Sequence, residues 1–215
     1  MGADDLGQDG LPAMDVAERD SNEAKGRKMF MFIMVAPVAL GLGLGSAIYN
    51  FGDTSAYDKK ISLVVAYDLQ FAYLAAFVFC RLVSFLNMYP MIAKSRVMRG
   101  KSGNLRANMY LYREYGSGKI VTLDDGEETG RYNRANRSLH HFTENMGGFL
   151  VGMVLAGFCF PFPVFVMTCT FAIGRIMHQI GYSNKGYGGH GAGFGIATLS
   201  TAGVEGLILL TALMF

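Results

Sequence analysis

Between Arg131 and Leu150 the chain reads RYNRANRSLHHFTENMGGFL, a polar, partly cationic stretch that runs directly into an apolar one. On a helix, Arg134, Arg137, His141 and Glu144 are spaced by 3, 4 and 3 residues and fall on one stripe. His140 lies off that stripe, beside Arg137 and Glu144. A second set, Arg175, His178 and Tyr182, is spaced by 3 and 4 and again shares one face. Guanidinium, imidazole and phenol groups entering an otherwise apolar bundle suit an anionic, polar ligand at its head and leave lipid access for an apolar one. The same residues also suit interhelical ion pairing and snorkelling at a membrane surface, for instance Arg137 with Glu144. Spacing alone leaves both readings open.

The elements that carry these residues are hydrophobic. Of 215 residues, 51% are apolar, with 14 Met and 16 Phe, which is the composition of a membrane protein. The net charge of +2 comes from nearly balanced acids and bases, so no global field favours DNA or RNA, and no nucleic-acid partner is expected. Cys80, Cys159 and Cys169 sit inside apolar runs as buried hydrophobes and form neither a disulfide framework nor a zinc site; no metal is expected. Residues 1–26 carry seven acids and no apolar period, which predicts a polar, disordered tail with no function. This start resembles neither a secretory signal nor an Arg-rich transit peptide.

Five spans follow. The first covers 27–50, with Pro37 and the Gly41, Gly43, Gly45 run tolerated inside it. The second is expected over about 61–88 and contains Asp68 and Arg81. Those two are too far apart on one helix to pair, which leaves an internal polar contact, or a snorkelling Arg81 with Asp68 facing another helix. The loop 89–132 carries eight Lys/Arg against five Asp/Glu, which marks it as cytoplasmic. Gly116, Ser117, Gly118 and Asp125-Gly126 flank a β-prone Lys119–Thr122 within it. A third span starts near Tyr132 and turns at Phe160-Pro161-Phe162-Pro163. A fourth runs to about Tyr182, and after the glycine-rich loop 183–193 a fifth covers 194–215, with Glu205 at its middle. The reading is an all-α membrane protein.

Residues 61–215 resemble the MAPEG family, the membrane-associated proteins in eicosanoid and glutathione metabolism, and in particular microsomal glutathione transferase 3-like members. Tyr132, Arg134, Arg137, Glu144, Phe149 and Leu150 match the family pattern aromatic-x-Arg-x-x-Arg-x-x-x-Asn-x-x-Glu-(x)4-Phe-Leu. Gly174, Arg175, Gly181 and Tyr182 match Gly-Arg-x-x-Tyr-x-x-Gly-Tyr, and Ile92–Arg96 is similar to the basic end of the family's first helix. The resemblance implies a four-helix transmembrane bundle, here with one extra N-terminal helix. It further implies a homotrimer that binds glutathione as co-substrate between subunits at the cytoplasmic side.

On that resemblance Arg134, Arg137, His141, Glu144, His178 and Tyr182 form the glutathione site, with Arg137 on a carboxylate and Glu144 on the amino group. His141 and His178 stand where the family has Asn and Tyr. Gly189 stands where active relatives place the cation that holds the thiolate, which leaves Lys185 and Arg96 as catalytic candidates, with His190 nearby. The activity implied is a glutathione transferase or glutathione-dependent peroxidase acting on apolar electrophiles or lipid hydroperoxides. Two alternatives stay open: an inactive, structural or lipid-binding subunit of a larger membrane assembly, and a transporter using Asp68, Arg81 and Glu205 as a relay. The family implies the endoplasmic reticulum; a mitochondrial or plastid membrane suits the same sequence.

Overall fold

The computed structural model of the chain describes residues 13–98, 110–116, 118 and 120–214. Its elements are α1 (Val16–Phe51), α2 (Thr54–Ala66), α3 (Gln70–Met88), α4 (Pro90–Met98), β1 (Tyr112–Tyr115), β2 (Ile120–Leu123), α5 (Glu127–Cys159), α6 (Pro161–Lys185) and α7 (Gly191–Leu213). Among the described residues five helices are long and apolar enough to cross a membrane, with Gln70–Met98 counted as one. The protein is an all-α, multi-pass membrane protein.

The core lies where α3, α5, α6 and α7 meet. Leu86, Phe142, Phe149, Val164 and Val204 are almost fully buried there, and the Phe149 and Phe171 rings stack. Phe160 alone separates α5 from α6, because Pro161 takes the first helical position, where a missing N–H costs nothing. The hairpin β1–β2 is antiparallel with Tyr112 opposite Leu123, and its turn holds Gly116 and Gly118 at positive φ. Ser117 and Lys119 of the expected turn lie outside the described residues. Asn133, itself buried, holds the hairpin to α5: its Nδ2 donates to the Leu111 and Asp124 carbonyls and its Oδ1 accepts from the Leu111 N–H.

Three expectations are corrected. The tail expected over 1–26 is helical from Val16, residues 1–12 lying outside the described set. Asp15 caps the helix by accepting from the Glu18 N–H at 2.7 Å. What orders this segment is charge, not apolar periodicity. Glu23, only 5% exposed, accepts from Arg131 on α5 at 3.0 and 3.1 Å, from Arg96 on α4 at 3.2 Å and from Arg27 at 2.7 Å. Arg96 also engages Asp20, and Glu128 at 2.6 Å.

The second span, expected over 61–88, is two helices. Asp68 sits between α2 and α3 at φ 56, a left-handed conformation that Asp adopts more readily than most residues. The membrane-length helix therefore begins at Gln70 and continues to Met98, inside the expected loop, and Asp68 is not within it. The apolar run continues across the break, which made the two pieces read as one. The cysteines are the third correction: Cys80 and Cys159 face outward from the bundle and Cys169 is half-buried.

Arg81 makes an internal polar contact. Pro37 in α1 has no N–H and removes the partner of the Ile33 carbonyl, loosening the ladder there. The Arg81 Nη2 reaches across from α3 and donates to the neighbouring Met34 carbonyl at 2.8 Å. Arg81 thus finds an acceptor one residue along from the carbonyl that Pro37 leaves without its partner. Beyond this contact α1 splays: its most apolar stretch buries none of its residues in the protein.

Glu23→Gln is expected to destabilise the detergent-solubilised protein by about 3 kcal/mol, since it leaves Arg131 without its carboxylate, while Arg96 keeps Asp20 and Glu128. A Glu23→Leu/Arg131→Leu pair should recover part of that loss, as read by thermal or denaturant unfolding. Arg81→Leu should lower the unfolding midpoint in the presence of Pro37 and do so less in a Pro37→Ala background; equal losses in both backgrounds would contradict the kink contact.

Candidate functional site

The inward ends of α5 and α6 are joined by a polar seam that an apolar bundle must satisfy internally. Arg134 Nε donates to the Ser183 carbonyl at 3.1 Å, and Ser183 Oγ donates to the Arg131 carbonyl at 3.2 Å. Gln179 Nε2 donates to the Ala135 carbonyl at 2.9 Å, and Ser138 Oγ bonds His178 Nδ1 at 2.8 Å. Arg175, 4% exposed, donates to His141 Nδ1 at 3.1 Å and lies 5.4 Å from the Phe142 ring centroid. These bonds fix the relative height of the two helices.

α7 approaches α6 closely because glycine faces backbone on both sides. A Cβ at Gly181 would overlap the Gly189 carbonyl, and one at Gly193 would overlap the His178 N–H; Gly174 meets the Ala197 nitrogen in the same way. Gly186 and Gly188 take positive φ in the turn between the helices, which closes with Gly189 N–H to the Gly186 carbonyl at 3.1 Å. The glycines therefore act as a packed turn, not as a loose arm, and they seat His190 against the ring of His178, centroids 5.1 Å apart.

The result is a small polar cavity of about 150 Å3 lined by Arg137, Ser138, His141, His178, Tyr182, Tyr187, His190 and Phe194. The His141 and His178 rings stack at 5.3 Å, and His190 meets Tyr182 edge-on at the same distance. His141 and Phe194 also wall a larger cavity of about 520 Å3, bounded by Phe142, Phe149, Phe171 and Arg175 and, toward its far end, Thr201 and Glu205. The two cavities thus share His141 and Phe194, and the larger one combines phenylalanine rings with the polar side chains of Glu144, Asn145, Arg175, Thr201 and Glu205. A separate groove of about 600 Å3 between α1 and α3 is lined by Pro37, Gly41, Gly45 and Phe77 among others, with Arg81 its sole ionisable side chain besides Tyr49 and Cys80.

Of the site residues named from the sequence, Arg137, His141, His178 and Tyr182 line the small cavity. Glu144 lines the larger one and pairs with Arg137 at 3.0 Å, both side chains about half exposed. The ion-pair reading of Arg137 and Glu144 is therefore made in the structure, at the edge of the two cavities. Arg134 serves the seam. Lys185 is the exposed last residue of α6 and is not among the lining residues. Arg96 belongs to the carboxylate cluster around Glu23, away from both cavities. Lys185 and Arg96, the two catalytic candidates from the sequence, thus both lie outside the lining of the small cavity.

Ser138, Tyr187, His190 and Phe194 complete the lining. Ser138 continues the α5 stripe one turn from Arg134 and was legible by spacing; Tyr187 and His190 depend on the turn, which spacing does not locate. Tyr110 bonds His140 Nδ1 at 2.8 Å, and burial pushes its hydroxyl pKa up, so it stays a neutral phenol at the edge of the site. Among the described residues no group of three or more His, Cys, Asp or Glu is placed to hold a metal ion.

The fold and the two cavities define an all-α integral membrane protein with a polar pocket set into its helical bundle. The model of the MAPEG family matches residues 71–210, and the chain belongs to that family. No curated protein and no solved structure matches it. The matched span begins within α3, so α1 and α2 lie outside it.

Gly189→Leu is expected to push the α6–α7 turn apart and displace His190 while leaving the core of α3, α5, α6 and α7 folded. The check is a loss of the His178–His190 nuclear Overhauser contact with helix content retained; survival of that contact would show that the close approach is not required.

Proposed function

We propose that the protein binds glutathione at the Arg137 cavity and acts as a membrane glutathione transferase or glutathione-dependent peroxidase on apolar electrophiles or lipid hydroperoxides. The observation that carries this reading is that Arg137, His141, His178 and Tyr182 meet in one cavity, which shares His141 and Phe194 with a larger one. Glutathione carries two carboxylates and an ammonium group. Arg137 offers a charge-assisted contact to a carboxylate and Glu144 to the amino group, once their mutual pair opens to admit the ligand. The cavity of about 150 Å3 takes one end of such a tripeptide, and the rest lies along the exposed face of α5. An apolar second substrate reaches the sulfur along the Phe142, Phe149, Phe171 and Phe194 rings of the larger cavity. Assembly as a homotrimer, which the family resemblance implies, would cover that exposed face.

A second reading has a specific observation behind it. Gly189 stands where a thiolate-holding cation is expected, and Arg96 is already engaged by three carboxylates. This favours a family member that holds glutathione or lipid without turnover, as a structural subunit of a larger membrane assembly.

Isothermal titration of the purified protein in a lipid-like detergent is expected to show glutathione binding, weakened about tenfold or more in Arg137→Ala. Absence of binding to the wild type would remove the enzyme reading. Binding without turnover of a model electrophile or hydroperoxide would select the second.

A further inference from the structure

The small cavity contains an imidazole whose bonding is incomplete. His190 Nδ1 is shut off from solvent and has no hydrogen-bond partner among the described residues. A proton on that nitrogen would be a buried N–H without an acceptor, a costlier state than an unpaired lone pair, so the neutral ring carries its proton on Nε2. The ring lines the cavity, in edge contact with Tyr182 and Tyr187. His141 reaches the same state by another route. Its Nδ1 is bonded to Arg175, a group that only donates, so this nitrogen accepts and its proton also lies on Nε2.

We propose that His190, through its Nε2–H, is the hydrogen-bond donor to the glutathione sulfur, a neutral donor in a pocket with no lysine and with Arg137 as its one guanidinium. This rests on the glutathione reading above. The groups facing His190 are Arg137 and His141 from α5, His178 and Tyr182 from α6, and Tyr187 from the turn. Arg137 is committed to the carboxylate end of the ligand, and His178 Nδ1 is taken by Ser138. His141, the other imidazole with its proton on Nε2, is held on the α5 side by Arg175, and His190 is the polar side chain that the α7 side presents to the cavity. When the thiol ionises, the S–H bond breaks, its electron pair stays on sulfur, and the proton passes to water at the cavity mouth. The imidazole keeps its own proton and donates it as a hydrogen bond to the thiolate.

The test uses the full-length protein and glutathione. His190→Phe keeps a ring against His178 and Tyr182 but has no N–H, whereas His190→Gln places an amide N–H near the position of Nε2. Both variants should still bind glutathione measurably by calorimetry, the Phe variant more weakly because it stabilises the bound thiolate less. The thiolate fraction of the bound ligand, read by its ultraviolet absorbance, should fall about tenfold or more in the Phe variant and largely return in the Gln variant. Full thiolate in His190→Phe overturns the proposal, as does failure of Gln to restore it. Nitrogen-15 spectra of the wild type decide the tautomer independently of any variant's folding: an Nε2–H signal for His190 supports the assignment and an Nδ1–H signal overturns it. If the wild type binds no glutathione, the functional reading fails, and the tautomer spectrum still judges the donor assignment by itself.

Discussion

A charge or polar group placed among membrane helices has to be satisfied by the protein, because lipid offers nothing in return. That requirement organises this molecule at three depths. Around Glu23, three carboxylates and three arginines from α1, α4 and α5 close on one another. Between α1 and α3, Arg81 answers the carbonyl beside a proline kink. Along the α5–α6 seam, arginine, glutamine and serine side chains donate into the opposite backbone. Apolar packing fills the space between these points, but they fix which helix sits at which height.

The site is a by-product of the same constraint, extended by glycine. Where α6 and α7 meet, backbone lies on backbone, and only residues without a side chain allow it. The close approach brings the rings of His178 and His190 into contact, and the seam brings His141 and Ser138 to meet them. His141 then stands, with Phe194, in the wall that the two cavities share.

Much of this was legible in the sequence, and the gaps have physical causes. The spacing of Arg137, His141 and Glu144, and of Arg175, His178 and Tyr182, placed two stripes on two helices, and the structure puts Arg137, His141, His178 and Tyr182 on one cavity. The turn at Phe160-Pro161 was equally plain, since proline admits few alternatives. The break at Asp68 was hidden because hydropathy continues through it, while a single residue's φ does not register in any periodic pattern. The helix from Val16 was hidden for the opposite reason: its stability comes from ion pairs to residues 73 and 108 positions away, and local composition carries no trace of partners at that distance. Glycines 186, 188 and 189 read only as a glycine-rich loop, because sequence cannot distinguish a glycine that moves from one that is packed.

The Glu23 cluster also sets an order of assembly. Its partners lie 4, 73 and 108 residues downstream, as Arg27, Arg96 and Arg131. During synthesis Arg27 emerges first and neutralises Glu23 within a single turn of helix. Arg96 arrives only after α3 has been made, and Arg131 only with the start of α5. The first helix of the chain therefore becomes locked into place by nearly the last element that contacts it. Until that moment the polar end of α1 is held by its own neighbour alone, and docking of the extra helix reports that the bundle behind it has begun to form.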